Sequence, residues 1–427
     1  MTMTMALSTS MNMWLTIMMM PTMMLMLMLN NPTSMSFKTS MMWMDNTSML
    51  LTMLTMLITS LSILSMNNME NKMKSKKMKL MFMTMSTMVM IMFTSKSMMP
   101  FYISFEASLI PMFMIITMWG KQPEKIQSSI YMMMYTILSS LMMLTCLAKM
   151  NFMGQKTLMI MSEQKEMTNT MTMMLMLPFL VKLPIFTLHT WLPKAHVESP
   201  VGGSMYLAGI LLKLGVYGMM RTIMFYSKNT SNLMTTFTMW GCILSTIMTL
   251  SQSDMKTLIA YSSVVHMSIL VPSLYSSSKS SIMSSTMIML GHGMCSSALF
   301  FLSDTLYKKS NSRNMYMNKN QMHKTPSNSM WWMIMTAANL GMPFSLNLLG
   351  ELFLFSSMMM MTKYMMFSIM IYSLMTSTYS IYMYAYTQYG SNKKSMSKQK
   401  TNTMQNLMLL IHFMPLYMTF TIMMKMI

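Results

Sequence analysis

Apolar segments of about twenty residues, the length that a membrane-spanning helix needs, recur along the whole chain of 427 residues. Short segments with prolines, glycines and charges separate them. Charged residues make up 9% of the sequence, against about 25% in an ordinary soluble domain. Most of the surface must therefore be apolar, and a lipid bilayer is its natural solvent. We predict an all-α fold, a polytopic membrane helical bundle.

The apolar segments predict about thirteen transmembrane helices. They cover residues 8–29, 48–65, 80–96, 99–118, 130–149, 170–190, 201–223, 234–250, 257–275, 282–302, 329–349, 352–386 and 406–424. The segment 352–386 is long enough to be one long helix or two elements.

Lysines and arginines predict the orientation, because loops rich in them stay on the side of the membrane where the chain is made. One set of alternate loops carries more than twice as many of these residues as the other set. This set lies near residues 66–79, 120–128, 192–200, 251–256, 303–328 and 390–402. Its last two loops, 303–328 and 390–402, lie on the same side of the membrane only if an even number of crossings separates them. We therefore predict two crossings within 329–386, the first broken near Gly341–Pro343.

The N-terminal segment 8–29 is expected to cross the membrane once, which places Met1 on the same side as loop 66–79. Pro21 could instead divide it into two short pieces that re-enter. Proline is tolerated in membrane helices where neighbouring groups cover the freed carbonyl, which favours the crossing. The start of the chain lacks the charged, apolar and small-residue pattern of a signal peptide, so none is predicted.

Three features of the composition indicate no ligand. The 85 methionines are spread over every apolar segment, which favours a coding bias over a copper-binding surface. Cys146, Cys242 and Cys295 are far apart, without the spacing of a disulfide framework or a zinc site. The net charge of +20 comes from loop lysines with no aromatic interleaving, so we expect no nucleic-acid partner.

Four ionisable residues lie within apolar runs of the sequence: Glu106, Lys182, Lys213 and Glu351. A charge at bilayer depth costs at least about 2.5–3.5 kcal/mol, and a buried ion pair seldom repays its desolvation. Retention of these residues therefore requires another cause. Proton or ion relay is such a cause, because a desolvated lysine gives up its proton more readily. A pair of structural salt bridges is the alternative.

Three histidines, His189, His266 and His292, lie in or at the ends of predicted spans, and imidazole titrates near neutrality. A single histidine of this kind is more often a structural core residue. Three of them among four buried charges indicate a chain of proton sites. Lys256, at the start of the span 257–275, is included in this candidate relay.

Backbone breaks accompany two of the charges. Pro184 follows Lys182 by two residues, and Gly341–Pro343 precedes Glu351. Proline removes a helical hydrogen bond and usually kinks the helix, and broken helices beside ion sites recur in transporters built from inverted repeats. We predict two inverted antiporter-like repeats with helices broken at these places. Ordinary proline kinks are the alternative.

The sequence contains no nucleotide-binding glycine motif, cysteine cluster or haem signature. We therefore expect no cofactor and no metal in this chain, and a driving reaction outside it.

Five sequence blocks resemble the subunit 4 family of mitochondrial NADH:ubiquinone oxidoreductase (complex I). They are FEASLIPMFMIITMWGKQPEK, LPIFTLHTWLPKAHVESPVGGSMYLAGILLKLGVYG, DMKTLIAYSSVVHMS, LGHGMCSSALFFL and NLGMPFSLNLLGELFLF. The similarity extends from about residue 99 to 390 and is weak elsewhere.

The resemblance implies a multi-pass, antiporter-like subunit of the mitochondrial inner membrane that translocates protons. It implies remote electron transfer from NADH to quinone as the driving reaction, and neither redox chemistry nor a cofactor in this chain. The expected partners are other antiporter-like subunits and accessory subunits of complex I, together with lipids such as cardiolipin.

The resemblance also implies roles for individual residues. Glu106 and Lys182 correspond to an interacting carboxylate–lysine pair of one half-channel. Lys213 corresponds to a central lysine, His292 to a relay histidine and Glu351 to a terminal glutamate.

The domain organisation follows from this correspondence. Residues 1–98 are N-terminal helices, 99–223 and 224–390 are the first and second antiporter-like halves, and 391–427 are a matrix loop and a C-terminal helix. The family implies about fourteen helices, two of them before the segment 48–65. Two spans need about 40 residues, more than precede Asn30, so one helix of the family is expected to be missing.

Two other functions stay open. A stand-alone cation/proton antiporter has the same broken-helix core, and purification with or without a large partner complex would separate the two. A structural spacer of the membrane arm, without a proton path, predicts that replacing Lys213 leaves the pumping stoichiometry intact.

Overall fold

Almost all of the described residues are helical, as expected where the surroundings offer the backbone no other hydrogen-bond partners. The structure, a computed structural model, describes residues 37–38, 43–66, 72–152, 168–223, 228–361, 365–390 and 402–426. It confirms the predicted all-α membrane bundle. The helix predicted over 8–29 and the position of Met1 lie outside these residues.

The helices follow one another with short connections. They are α1 (Asn46–Ser65), α2 (Lys72–Thr94), α3 (Met98–Ala107), α4 (Leu109–Trp119), α5 (Lys125–Phe152), α6 (Asn169–Lys182), α7 (Trp191–Glu198), α8 (Val201–Tyr206), α9 (Leu212–Thr222), α10 (Lys228–Leu250), α11 (Met255–Ser268), α12 (Leu270–Tyr275), α13 (Lys279–Ser310), α14 (Gln321–Lys324), α15 (Pro326–Leu340), α16 (Leu346–Met359), α17 (Met365–Gln388) and α18 (Thr403–Met426). A π-helical stretch, Leu207–Leu211, joins α8 to α9. Before α1, strands β1 (Phe37–Lys38) and β2 (Trp43–Met44) pair antiparallel.

Seven helical segments of the described residues are long and apolar enough to cross a membrane. They are Asn46–Ser65, Met98–Trp119, Lys125–Phe152, Val201–Thr222, Leu233–Leu250, Met255–Tyr275 and Lys279–Ser310. Each coincides with a predicted span, apart from shifts at its ends. The total of about thirteen crossings stays a prediction.

Both predicted helix breaks are confirmed. Helix α6 ends at Lys182, and the chain stays non-helical up to Thr190, because Pro184 has no N–H to donate to a continuing helix. Helix α15 ends at Leu340 and is capped by Gly341, whose φ of 81° is left-handed, and α16 begins at Leu346. The predicted break within 329–386 therefore lies between α15 and α16, and the two crossings of this region stay a prediction.

The prediction of a loop at 192–200 is wrong. Its residues form the short helix α7, with Leu192, Ala195 and His196 buried in the core. The charges of Lys194 and Glu198 suggested a solvated turn, but the apolar residues at positions i and i+3 give the segment a buried helical face. The predicted loop 66–79 is also shorter than expected, since α2 already begins at Lys72.

Two helical units form the centre of the bundle: the α8–α9 unit and α13, both buried on all sides. Glycines allow their close approach. A Cβ on Gly293 of α13 would lie 3.2 Å from the carbonyl oxygen of Gly209. Lys213 lies one turn after Gly209, and His292 lies next to Gly293, so this contact brings the two side chains together.

Candidate functional site

Lys213 belongs to α9, and its side chain is fully buried against α13. Its Nζ donates to the Ala208 carbonyl oxygen at 2.6 Å and lies 3.0 Å from Nδ1 of His292. Ala208 belongs to the π-helical stretch, a distortion that is frequent at functional sites. The ammonium therefore has one fixed backbone acceptor and one titratable neighbour.

The row of titratable groups continues from His292 through two further helices. The rings of His292 and His266 of α11 lie 5.4 Å apart between their centroids. Nδ1 of His266 lies 4.0 Å from Oε1 of Glu351 on α16. We call Lys213, His292, His266 and Glu351 the central row.

The break between α15 and α16 shapes the Glu351 end of the central row. A Cβ on Gly341 would lie 2.9 Å from Oε2 of Glu351, and the φ of 81° there also disfavours other residues. Glycine therefore allows the carboxyl group to rest against the broken backbone.

Glu106 and Lys182 form a second group at the end of α6. Lys182 Nζ donates to the Phe105 carbonyl oxygen at 3.2 Å and lies 3.1 Å from the centroid of the Phe105 ring, a cation–π contact. Oε1 of Glu106 accepts a hydrogen bond from Ser140 Oγ at 2.5 Å. Across the described ranges, no ion pair joins Glu106 to Lys182.

The contact between α6 and α9, close to both lysines, is apolar. A Cβ on Gly215 would lie 2.9 Å from Leu183 Cγ, and one on Gly218 would overlap the Phe179 ring. Lys182 therefore reaches the turn of α3 that carries Glu106, and an apolar contact joins its helix α6 to the helix of Lys213.

A third group surrounds Lys256 at the start of α11. Lys256 interacts electrostatically with the carboxylates of Asp304 and Glu198. The Gln122 amide joins Glu198 to Arg313 in the orientation that satisfies both of its ends: its nitrogen then donates to Glu198 Oε1 at 3.0 Å, and its oxygen accepts from the guanidinium at 3.3 Å. Burial raises the pKa of Glu198, and the Arg313 charge opposes this rise. We call these five residues the Lys256 group.

His196 of α7 lies between the Lys256 group and the central row. Its ring stacks on Phe300 with centroids 4.6 Å apart, and it interacts electrostatically with both Lys256 and Lys213. Phe300 lies two turns after His292 on α13 and one turn before Asp304. Neither ring nitrogen of His196 has a hydrogen-bond partner among the described residues.

Known proteins identify the family. A family model described as "NADH:quinone oxidoreductase/Mrp antiporter, TM" matches residues 95–376. NADH-ubiquinone oxidoreductase chain 4 of Lumbricus terrestris is 39% identical over 307 residues, which are 70% of this chain and 68% of that protein. The chain belongs to the NADH-ubiquinone oxidoreductase chain 4 family.

A second relative and a solved structure agree with this family assignment. Its member from Ceratitis capitata is 37% identical over 335 residues, covering 76% of this chain and 74% of that protein. A chain of respiratory complex I from Thermus thermophilus, solved with bound NADH, has a TM-score of 0.80 at 20% identity. That match covers 88% of this chain and 81% of that chain, and it shows that the antiporter-like helical fold is shared.

The structure places the predicted relay residues of this chain 4 family member in different groups. Lys213, His292, His266 and Glu351 come together in the central row, and Lys256 belongs to the separate Lys256 group. His189 contacts none of the other predicted residues in the described part of the chain. It packs on Phe186 and against Tyr261, with centroids 5.2 and 5.7 Å away.

The sequence did not predict Tyr372, Tyr379 and His196 as site residues, nor the four partners of Lys256 in the Lys256 group. Tyr379 Oη lies 2.8 Å from His266 Nε2, and Tyr372 Oη lies 3.3 Å from His266 Nδ1. Both belong to α17, and their spacing of seven residues places them on one helix face, but a tyrosine-rich helix has many such pairs. His196 had a clearer signal, because it extends the apolar face of α7.

Proposed function

We propose that this chain translocates protons across the mitochondrial inner membrane as an antiporter-like subunit of NADH:ubiquinone oxidoreductase. The observation that supports this function best is the central row, in which four titratable side chains from four different helices lie one beside the next. Electron transfer from NADH to quinone takes place in other subunits of the complex and drives the transport. The chain 4 relatives favour this role over that of a stand-alone antiporter.

The proton moves along the central row by exchange at the ring nitrogens. The Lys213 ammonium donates to His292 Nδ1, which must be unprotonated to accept. Transfer of that proton leaves a neutral amine and an imidazolium, and the imidazolium then releases its other proton from Nε2 towards His266. Glu351 takes the proton at the end of the row as a carboxylate and stores it as a carboxylic acid.

Glu106 and Lys182 control this transfer through charge. A carboxylate close to an ammonium favours the protonated lysine, and separation of the two favours release of the proton. In the described arrangement each has another partner, Ser140 for Glu106 and the Phe105 carbonyl for Lys182.

Protons enter the central row through the Lys256 group and His196. The Lys256 group offers buried charges at one end of α13, and His196 is a titratable ring between it and Lys213. Neither ring nitrogen of His196 is hydrogen-bonded to another described residue, so each can accept or donate a proton in turn.

Replacement of His292 tests the central row. We expect His292→Gln to slow the proton step through this subunit about 100-fold, since an amide can bond to Lys213 but cannot exchange a proton near neutral pH. Assembled complex in vesicles is assayed for proton uptake and NADH oxidation. His323→Gln, at an exposed histidine outside the groups, serves as the control. Equal proton uptake in both variants contradicts the proposal.

Replacement of Glu106 tests the controlling pair. Glu106→Gln keeps the volume and can still accept from Ser140, but removes the charge that favours the Lys182 ammonium. We expect normal assembly with turnover lowered about tenfold, below the effect of losing a relay group. Native gels and NADH oxidation measure the two quantities. Failed assembly would instead support a structural role, and normal turnover would refute both.

A further inference from the structure

Five lysines lie within the first eight residues of α2. Lys74, Lys76 and Lys77 are exposed, and we call these three the α2 lysine patch. The first turn contains no acidic residue, and no carboxylate of the described residues forms an ion pair with the patch. Like charges at adjacent turns repel each other, and cations are disfavoured at the positive end of a helix dipole. An anion from outside the described chain would offset both effects.

We propose that the α2 lysine patch binds the phosphate headgroups of acidic phospholipids at the membrane surface. Clusters of lysines next to a membrane helix attract anionic lipids, and each lysine near the surface contributes measurably. Flexible ammonium groups suit this role, because they follow a mobile headgroup without a fixed geometry.

The outer face of α2 favours a lipid over an acidic protein segment. Leu80, Thr84, Thr87 and Ile91 lie along one side of α2. Lys76 and Lys77 of the patch lie one turn before Leu80 and flank the line of this stripe. Leu80 is 46% and Ile91 38% exposed. Each threonine hydroxyl donates to its own helix at 2.9 Å, to the carbonyl oxygens of Met81 and Thr84. This stripe therefore offers no free donor and is suited to acyl chains below a bound headgroup.

The lysines could serve only as an orientation signal during insertion. Such a signal depends on the number of charges on one side of the membrane and not on their place along a helix. Here Lys76 and Lys77 continue the outward apolar stripe of the same helix, as an amphipathic lipid requires.

The test compares lipids retained by the full-length chain in nanodiscs that contain phosphatidylcholine with a minor fraction of phosphatidylglycerol. Native mass spectrometry measures the ratio of the two lipids on the chain. We expect the wild-type chain to be enriched in phosphatidylglycerol. In the variant Lys74→Gln, Lys76→Gln, Lys77→Gln this enrichment should fall about fivefold or more, since the loss of one lysine near an anionic surface already accounts for about that factor. The corresponding arginine variant should keep the enrichment, which separates lost charge from misfolding.

A matched control removes the same charge elsewhere. The variant Lys149→Gln, Lys194→Gln, Lys279→Gln changes three exposed lysines that lie apart from one another and outside the groups of the site, and we expect the lipid ratio to stay unchanged. The proposal fails if the two glutamine variants lose phosphatidylglycerol equally, or if the wild-type chain shows no enrichment. It also fails if the patch cross-links to an acidic segment of another subunit while its substitution leaves lipid retention unaltered.

Discussion

Lys213→Met is expected to stop proton translocation through this subunit while the chain still inserts and assembles. The substitution removes the ammonium that links His292 to the rest of the site, and the row loses its first exchangeable proton. Loss of one positioned acid–base group slows proton transfer about 100-fold or more. We expect proton uptake by vesicles carrying the complex to fall accordingly.

The stability of the Lys213→Met variant separates a functional lysine from a structural one. Burying a lysine at bilayer depth costs at least about 2.5–3.5 kcal/mol, which methionine avoids. The Ala208 carbonyl and His292 Nδ1 lose their partner, at about 1–3 kcal/mol for each unsatisfied group. The two effects oppose each other, so assembly measured on native gels should change little. Unchanged proton uptake per NADH would support the spacer function instead.

The helices and their breaks could be predicted because each has a local cause. Apolar length identifies a spanning helix, and Pro184 and Gly341 interrupt the backbone wherever they stand in a membrane helix. The buried charges were also visible, because Lys213 and Glu351 contradict their apolar surroundings. Their partners were not visible, since contacts between His292 and His266 depend on how two distant helices pack.

The predictions were wrong or incomplete for residues of types that occur both at the surface and in the core. Glu198 and Lys194 gave α7 the composition of a solvated loop, although its apolar face and His196 are buried. Tyr372 and Tyr379 have no charge to mark them, and their role follows from the position of His266 on another helix. Conversely, His189 is of a residue type suited to a proton relay, but the packing places its ring against Phe186. Residue type alone indicates chemistry, and only the packing decides which groups meet.

Glu351→Gln is expected to have an effect as large as that of Lys213→Met, because the amide cannot store the proton that the central row delivers. The carboxyl group lies 4.0 Å from His266 Nδ1 and close to Gly341, a space that the equally large glutamine fills. Proton transfer should slow about 100-fold with little change in assembly.

Glu351→Asp provides the opposite change: it keeps the titratable group but moves it away from His266 by about one carbon–carbon bond. If the carboxyl group is the end of the relay, proton uptake should be partly retained in the aspartate variant and lost in the glutamine variant. A packing role for Glu351 predicts the reverse order, since glutamine preserves the volume against the α15–α16 break and aspartate leaves a gap. Proton uptake and native-gel assembly of the two variants, measured side by side, decide between these roles. A glutamine variant that pumps better than the aspartate variant would remove Glu351 from the proton path.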